Sequence, residues 1–289
     1  MNIKKILVGV CVYLVSLNFT FGQDLPLDTT VRKGVLPNGF RYIIKANRFP
    51  ENRAVLYLAN KVGSILEEES ERGLAHFMEH MNFKGTTHFP KNALIDYLEK
   101  AGVKFGADLN AYTSYDETVY QLPLPTDDQE LWKNGMQIMR DWAAEATLDS
   151  DEFEKERGVI LEEKRLQQTA AGRMREKYMP TVYNYSRYAD RLPIGLDDVI
   201  EHADISLIRD FYKRWYRPDL QALIVVGDID VDQVESQIIT LFSDLKAEKK
   251  GYERKKYTIP LIDSTRFVAI KDKEFSNINI DIVFKRKAT

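Results

Sequence analysis

Cysteine is almost missing from this 289-residue chain: Cys11 is the only one, which excludes a disulfide framework. Charge of one sign is missing too. The 41 bases against 44 acids leave a net −3, and that balance lacks the basic footprint of a general nucleic-acid binder. With 15 glycines and 10 prolines, neither a collagen-like repeat nor a low-complexity chain is possible. There is no glycine-rich phosphate loop. The apolar run Ile6–Leu17 falls short of the roughly 20 residues that span a bilayer. What is present, 44% hydrophobic and 29% charged residues, describes an ordinary globular protein, so function has to be sought in local motifs.

The first 22 residues have the layout of a secretory signal peptide. Lys4 and Lys5 form a positive start, Ile6–Leu17 the apolar segment, and Ser16, Asn18, Thr20 and Gly22 the small and polar approach to cleavage. Val10 stands before Cys11 where a lipoprotein needs a small residue. Cleavage near Gly22 removes the one cysteine, which suits an oxidising compartment and excludes cysteine catalysis and cysteine metal sites. No membrane span is expected after that.

Beyond the signal, Val31–Ile44 reads as a hairpin around Pro37-Asn38-Gly39, and Ala54–Val62 as a third strand. From Arg72 the apolar period becomes helical through Leu74, Phe77, Met78 and Met81. Pro90 and Asn92 open another helix through Lys100. Leu109–Leu122 is strand-like, broken near Ser114–Glu117. Asp127–Ala146 and Asp151–Arg165 are helices with acidic starts, as the helix dipole favours. Ser206–Trp215 is a helix, Gln221–Val226 a buried strand and Val231–Leu245 a final helix. The expectation is an α+β domain: a mixed, mostly antiparallel sheet with helices packed on one face. Arg266–Lys271 and Ile278–Phe284 read as two further strands, too few to bury a core alone.

Histidine is scarce, at four residues, yet two fall in His76-Phe77-Met78-Glu79-His80. An i, i+4 pair occupies one helical face, so both imidazoles can reach one metal ion. Glu79 lies near the same face, where it can take a proton from an activated water. This H-x-x-E-H order is the inverzincin signature. A catalytic zinc takes a third protein ligand. His88, in a turn, is a weak candidate. Glu156, Glu162 and Glu163 are carboxylate candidates on a later helix, Glu156 and Glu163 sharing a face at seven-residue spacing. Glu162 stands about 100° round from Glu163, so those two should not serve together.

With these residues in view, the sequence resembles the N-terminal half of M16 (pitrilysin/insulinase-type) zinc peptidases, and among them the long periplasmic bacterial members. The resemblance runs from about Val35 to Leu245. It rests on Leu36-Pro37-Asn38-Gly39, on Gly73–Thr86 around the histidines and on Leu109-Asn110-Ala111-Tyr112-Thr113-Ser114. Further along it rests on Glu156-Arg157 with Val159–Glu163, on Tyr216-Arg217-Pro218 and on Val225-Val226-Gly227-Asp228. The resemblance implies one zinc per chain on His76, His80 and Glu163, with Glu79 as general base and Glu156 steadying the ligands. It implies that Asn110 and Ala111 sit on an edge strand to which a peptide adds. The interval from His80 to Glu163 looks slightly long for the family, and the surplus is expected in loops at Val103–Asp108 and Leu122–Asp127. The implied organisation is a signal peptide (1–22), a zinc-binding peptidase domain (31–250), and a linker opening a second, truncated domain (251–289). The rest would be supplied in cis or by a partner subunit. The implied function is an exported, periplasmic zinc metalloendopeptidase acting on peptides or unfolded segments. The alternative is a non-catalytic peptide-binding or scaffolding subunit of the same fold.

Overall fold

A computed structural model describes residues 28–91, 93–100, 110–247 and 251–286. The expected signal peptide and the Val103–Asp108 loop lie outside the described residues. The compact unit that carries the site begins at Val31.

Six strands form one open sheet in the order β1-β2-β6-β3-β5-β4. They are β1 (Val31–Val35), β2 (Arg41–Ala46), β3 (Arg53–Asn60), β4 (Asn110–Thr113), β5 (Thr118–Pro125) and β6 (Gln221–Gly227). Only β2 and β6 pair in parallel; the other neighbours are antiparallel. The mixed, mostly antiparallel sheet is therefore as expected. The β1–β2 turn uses Gly39 at φ +91°, where a side chain would meet the backbone of Asp219. Asn38 Oδ1 accepts the Phe40 N–H, while its amide donates to the Phe242 and Leu245 carbonyls.

Nine α-helices follow among the described residues: α1 (Leu74–Met81), α2 (Ala93–Lys100), α3 (Gln129–Ala144), α4 (Ser150–Gln167), α5 (Ala170–Val182), α6 (Arg187–Asp190), α7 (Asp197–His202), α8 (Ile205–Trp215) and α9 (Val231–Phe242). Alternation along the strands sends Ile44, Leu56, Leu58, Leu122, Leu124 and Val225 into full burial on one face. Helices α1, α3 and α9 pack against the sheet. Burying a side chain of this size contributes about 1.5–3 kcal/mol, so this face holds the layers together.

Two expectations need correction. Leu122–Asp127 is not a loop at its start, because β5 runs on to Pro125, paired with β3 throughout. Proline cannot donate to a ladder, but Pro123 and Pro125 lie beyond Gln121, the last β5 residue that β4 pairs. Second, Arg266–Lys271 and Ile278–Phe284 form no strand and pair with no other strand among the described residues. Phe267, Ile278 and Phe284 are about nine-tenths exposed, at 90%, 91% and 91%. A period-2 apolar pattern needs a sheet edge to join, and none among the described residues receives these segments.

Candidate metal centre

Helix α1 is preceded by Gly73, buried and at φ +113°. Leu74, Ala75, Phe77, Met78 and Met81 face the core, which turns His76 and His80 the other way. Phe77 stacks on Phe153 of α4, with ring centroids 4.4 Å apart. That contact sets α4 beside α1. Along α4, Phe153, Glu156 and Ile160 are buried on one stripe, and Glu163 continues it into the half-buried region.

Three of the expected residues converge. His76 Nε2 and His80 Nε2 each stand 3.5 Å from Glu163 Oε2, and one donor atom from each of the three lies within 4.8 Å of the others. In a tetrahedral zinc site with bonds near 2.0–2.2 Å, donor atoms sit about 3.4 Å apart. Two nitrogens and one carboxylate oxygen at this spacing fit a zinc ion. Glu156, with its side chain only 5% exposed, places Oε1 2.8 Å from His80 Nδ1 and Oε2 2.7 Å from Lys84 Nζ. It faces the back of the imidazole, not the metal-binding side. The Nδ1 of His76 has no such partner among the described residues. Glu162 is exposed and paired to Arg165, so this neighbour of Glu163 lies outside the three-residue cluster.

Glu79, 8% exposed, follows on the same helix. Its Oε2 accepts a hydrogen bond from the Thr113 hydroxyl at 2.5 Å. Thr113 ends β4, which α1 contacts directly and which, among the described residues, pairs only with β5. Asn110 and Ala111 lie on this same edge strand, outside the three-residue cluster. His88 is elsewhere: its Nδ1 lies 2.9 Å from the buried carboxylate of Asp141.

Electrostatics separate the two histidines. Burial lowers the His76 imidazole to about 4, helped by repulsion from His80. Burial opposes the charged form of His80 as well, but hydrogen bonds to Glu156 and Glu163 outweigh it and raise His80 to about 9. Burial also raises the Glu79 carboxyl, against the pull of the Thr113 hydrogen bond. The hydrogen bond from His80 lowers Glu163. Buried, charge-perturbed groups gathered at one sheet edge are the marks of a functional site.

Thr113 and Lys84 escaped the reading of the sequence. Both lie inside quoted motifs, yet neither periodicity nor spacing says that one holds Glu79 and the other Glu156.

Residues 42–192 match the family model described as insulinase (peptidase family M16), and 204–286 match that of the peptidase M16 inactive domain. The chain is 41% identical over 250 residues to a probable zinc protease PqqL of Escherichia coli, covering 86% of this chain and 27% of that protein. It is 34% identical over 213 residues to the chloroplastic stromal processing peptidase of Arabidopsis thaliana, covering 72% of this chain and 16% of that one. Among solved structures, the first half of the periplasmic protease PqqL from Escherichia coli superposes with a TM-score of 0.78 at 41% identity. That match covers 82% of this chain and 50% of the other. The chain thus spans about a quarter of the length of the curated PqqL relative.

Proposed function

Since this chain belongs to the insulinase peptidase family, M16, we propose that it forms the metal-bearing part of a zinc metalloendopeptidase acting on peptides or unfolded segments. One observation carries the reading: His76, His80 and Glu163 meet at a single point, beside a buried Glu79 held against an open sheet edge. His76 Nε2, His80 Nε2 and Glu163 would hold one zinc ion per chain. When bound, zinc supplies Lewis acidity, polarising a peptide carbonyl and acidifying a water.

The remaining work falls to the chain's own side chains. Glu79 is the general base. Thr113 fixes its Oε2, which leaves the second oxygen to take a proton from water and return it to the leaving amine. Glu156 accepts the Nδ1–H of His80 and so keeps the Nε2 lone pair for the metal. Hydrogen bonds to Glu156 and Glu163 raise His80 to about 9 against its burial, so this ring would have to give up a proton to serve as a ligand, and metal affinity should rise with pH. The edge of β4, with Asn110 and Ala111, offers backbone groups to an extended substrate, a mode that binds peptide with little regard to side chains.

The relatives extend well beyond the matched part. We infer that further substrate contacts come from a second peptidase-like half, in cis or in a partner subunit. Export through a signal peptide at 1–22 agrees with the periplasmic protease among the similar structures, and no described helix is long and apolar enough to cross a membrane. The non-catalytic alternative has less support, because His76, Glu79, His80 and Glu163 are all present.

Glu79→Gln is the test. Zinc content should stay as in the parent, while turnover of a quenched fluorescent peptide by the complete assembly falls about 100- to 10,000-fold. Near-normal turnover would refute the assignment of the base.

A further inference from the structure

The helix bearing His76 and His80 and the helix bearing Glu163 share one spacer. The segment from Arg191 to Asp197 runs between the start of α1 and the far end of α4. On the α1 side, Gly195, at φ +74°, lies against Gly73. A Cβ on Gly195 would stand 2.4 Å from the Gly73 Cα and 2.6 Å from the Arg72 carbonyl oxygen. No L side chain fits there. The Leu196 N–H closes the contact by donating to the Arg72 carbonyl at 3.2 Å.

On the α4 side, Lys164, next in sequence to Glu163, donates to the Gly195 carbonyl at 2.8 Å and pairs with Asp197 at 2.7 Å. Its side chain is only 15% exposed. One carbonyl therefore receives the ligand-side helix while the same residue's Cα abuts the first residue before the histidine helix. Two more contacts hold the spacer and the helix start in place. The buried Glu67 carboxyl accepts the Gly73 and Ala75 N–H groups at 3.0 and 2.8 Å, standing in for the cap that Gly73 lacks. The buried Arg191 guanidinium in turn donates to the Glu67 carbonyl at 2.9 Å.

We propose that Gly195 and Lys164 are positioning residues for the metal site, setting the separation between the His76/His80 pair and Glu163 without touching a donor atom. This rests on the reading of those three residues as zinc ligands. A shift of a few tenths of an ångström in α4 changes both 3.5 Å separations together, because both end on the same oxygen. Coulomb's law alone predicts the opposite effect for loss of Lys164: removing a cation beside Glu163 favours a divalent metal. The sign of the change therefore separates positioning from charge.

The experiment measures zinc affinity by competition with a chromophoric chelator, and the visible absorption of the cobalt-substituted chain, for Lys164→Met, Lys164→Arg, Gly195→Ala and Glu163→Gln. Circular dichroism checks that each chain is folded. Lys164→Met should weaken zinc about tenfold, the lower range for a residue that orients ligands, and alter the cobalt spectrum. Lys164→Arg should recover most of both. Gly195→Ala, if it folds, should weaken zinc further. Wild-type or tighter zinc binding in a folded Lys164→Met, with an unchanged cobalt spectrum, overturns the proposal even where Glu163→Gln binds poorly. Unaltered affinity in Glu163→Gln overturns the ligand assignment itself, and the proposal with it.

Discussion

Removing the carboxylate of Glu156 should damage the site from behind. Its two oxygens hold His80 Nδ1 at 2.8 Å and Lys84 Nζ at 2.7 Å, and its side chain is 5% exposed. Water cannot readily replace it. Partners of this kind typically contribute 10- to 100-fold to metal affinity, or about 1.4–2.7 kcal/mol. Glu156→Gln retains an acceptor for the imidazole N–H but loses the charge and the oxygen that holds Lys84, so it belongs near tenfold. Glu156→Ala leaves the imidazole free to turn and belongs near a hundredfold. The alanine variant also strands Lys84, whose head is partly exposed and can rehydrate, so metal-free stability should fall by only about 1–3 kcal/mol. Chelator competition at fixed pH gives the affinities, and urea unfolding of the metal-free chain gives the stability. Zinc affinity within twofold of the parent in folded Glu156→Ala would refute the reasoning, for His80 would then need no partner.

Two further outcomes follow from the same neighbourhood. Phe77→Ala empties a fully buried position stacked on Phe153 and should cost about 3–5 kcal/mol in urea unfolding; a loss below about 1 kcal/mol would mean that α1 and α4 are not joined by this stack. Glu67→Gln should change how stability depends on pH. Burial raises Glu67 to about 8 from 4.5, against the Ala75 and Gly73 N–H groups and Arg191, with Glu71 adding to the rise. Between those values the folded chain keeps a proton that the unfolded chain has lost, so stability drains as pH rises through that window. The variant should gain on the parent steadily from about pH 5 to 8, and a difference that stays flat with pH would contradict it.

The histidine pair of the candidate site was legible in the sequence because its spacing is a property of one helix, whereas the choice of Glu163 among Glu156, Glu162 and Glu163 came from the family resemblance. His76 and His80 repeat at a helical turn, and Glu156 and Glu163 share the α4 stripe of Phe153 and Ile160. What joins the helices was not legible. Thr113 meets Glu79 across 34 positions and Lys84 meets Glu156 across 72, and no local pattern records such distances. The hairpin and the main helices followed from period and punctuation. Helices α5 to α7 were missed, as α5 has no buried residue and contains Pro180, which leaves little amphipathic signal. The strands expected at Arg266–Lys271 and Ile278–Phe284 had the right alternation but no partner among the described residues, and alternation describes a strand only where an edge accepts it.

Zinc content per chain after equilibrium dialysis, compared between the parent, Glu163→Gln and Glu162→Gln, tests the central claim most directly. The account predicts about one zinc per chain in the parent and in Glu162→Gln, whose carboxylate is turned to Arg165, and a loss of most of it in Glu163→Gln. Loss in Glu162→Gln with retention in Glu163→Gln would contradict it, because the carboxylate that meets His76 and His80 would then not be the one that holds the metal.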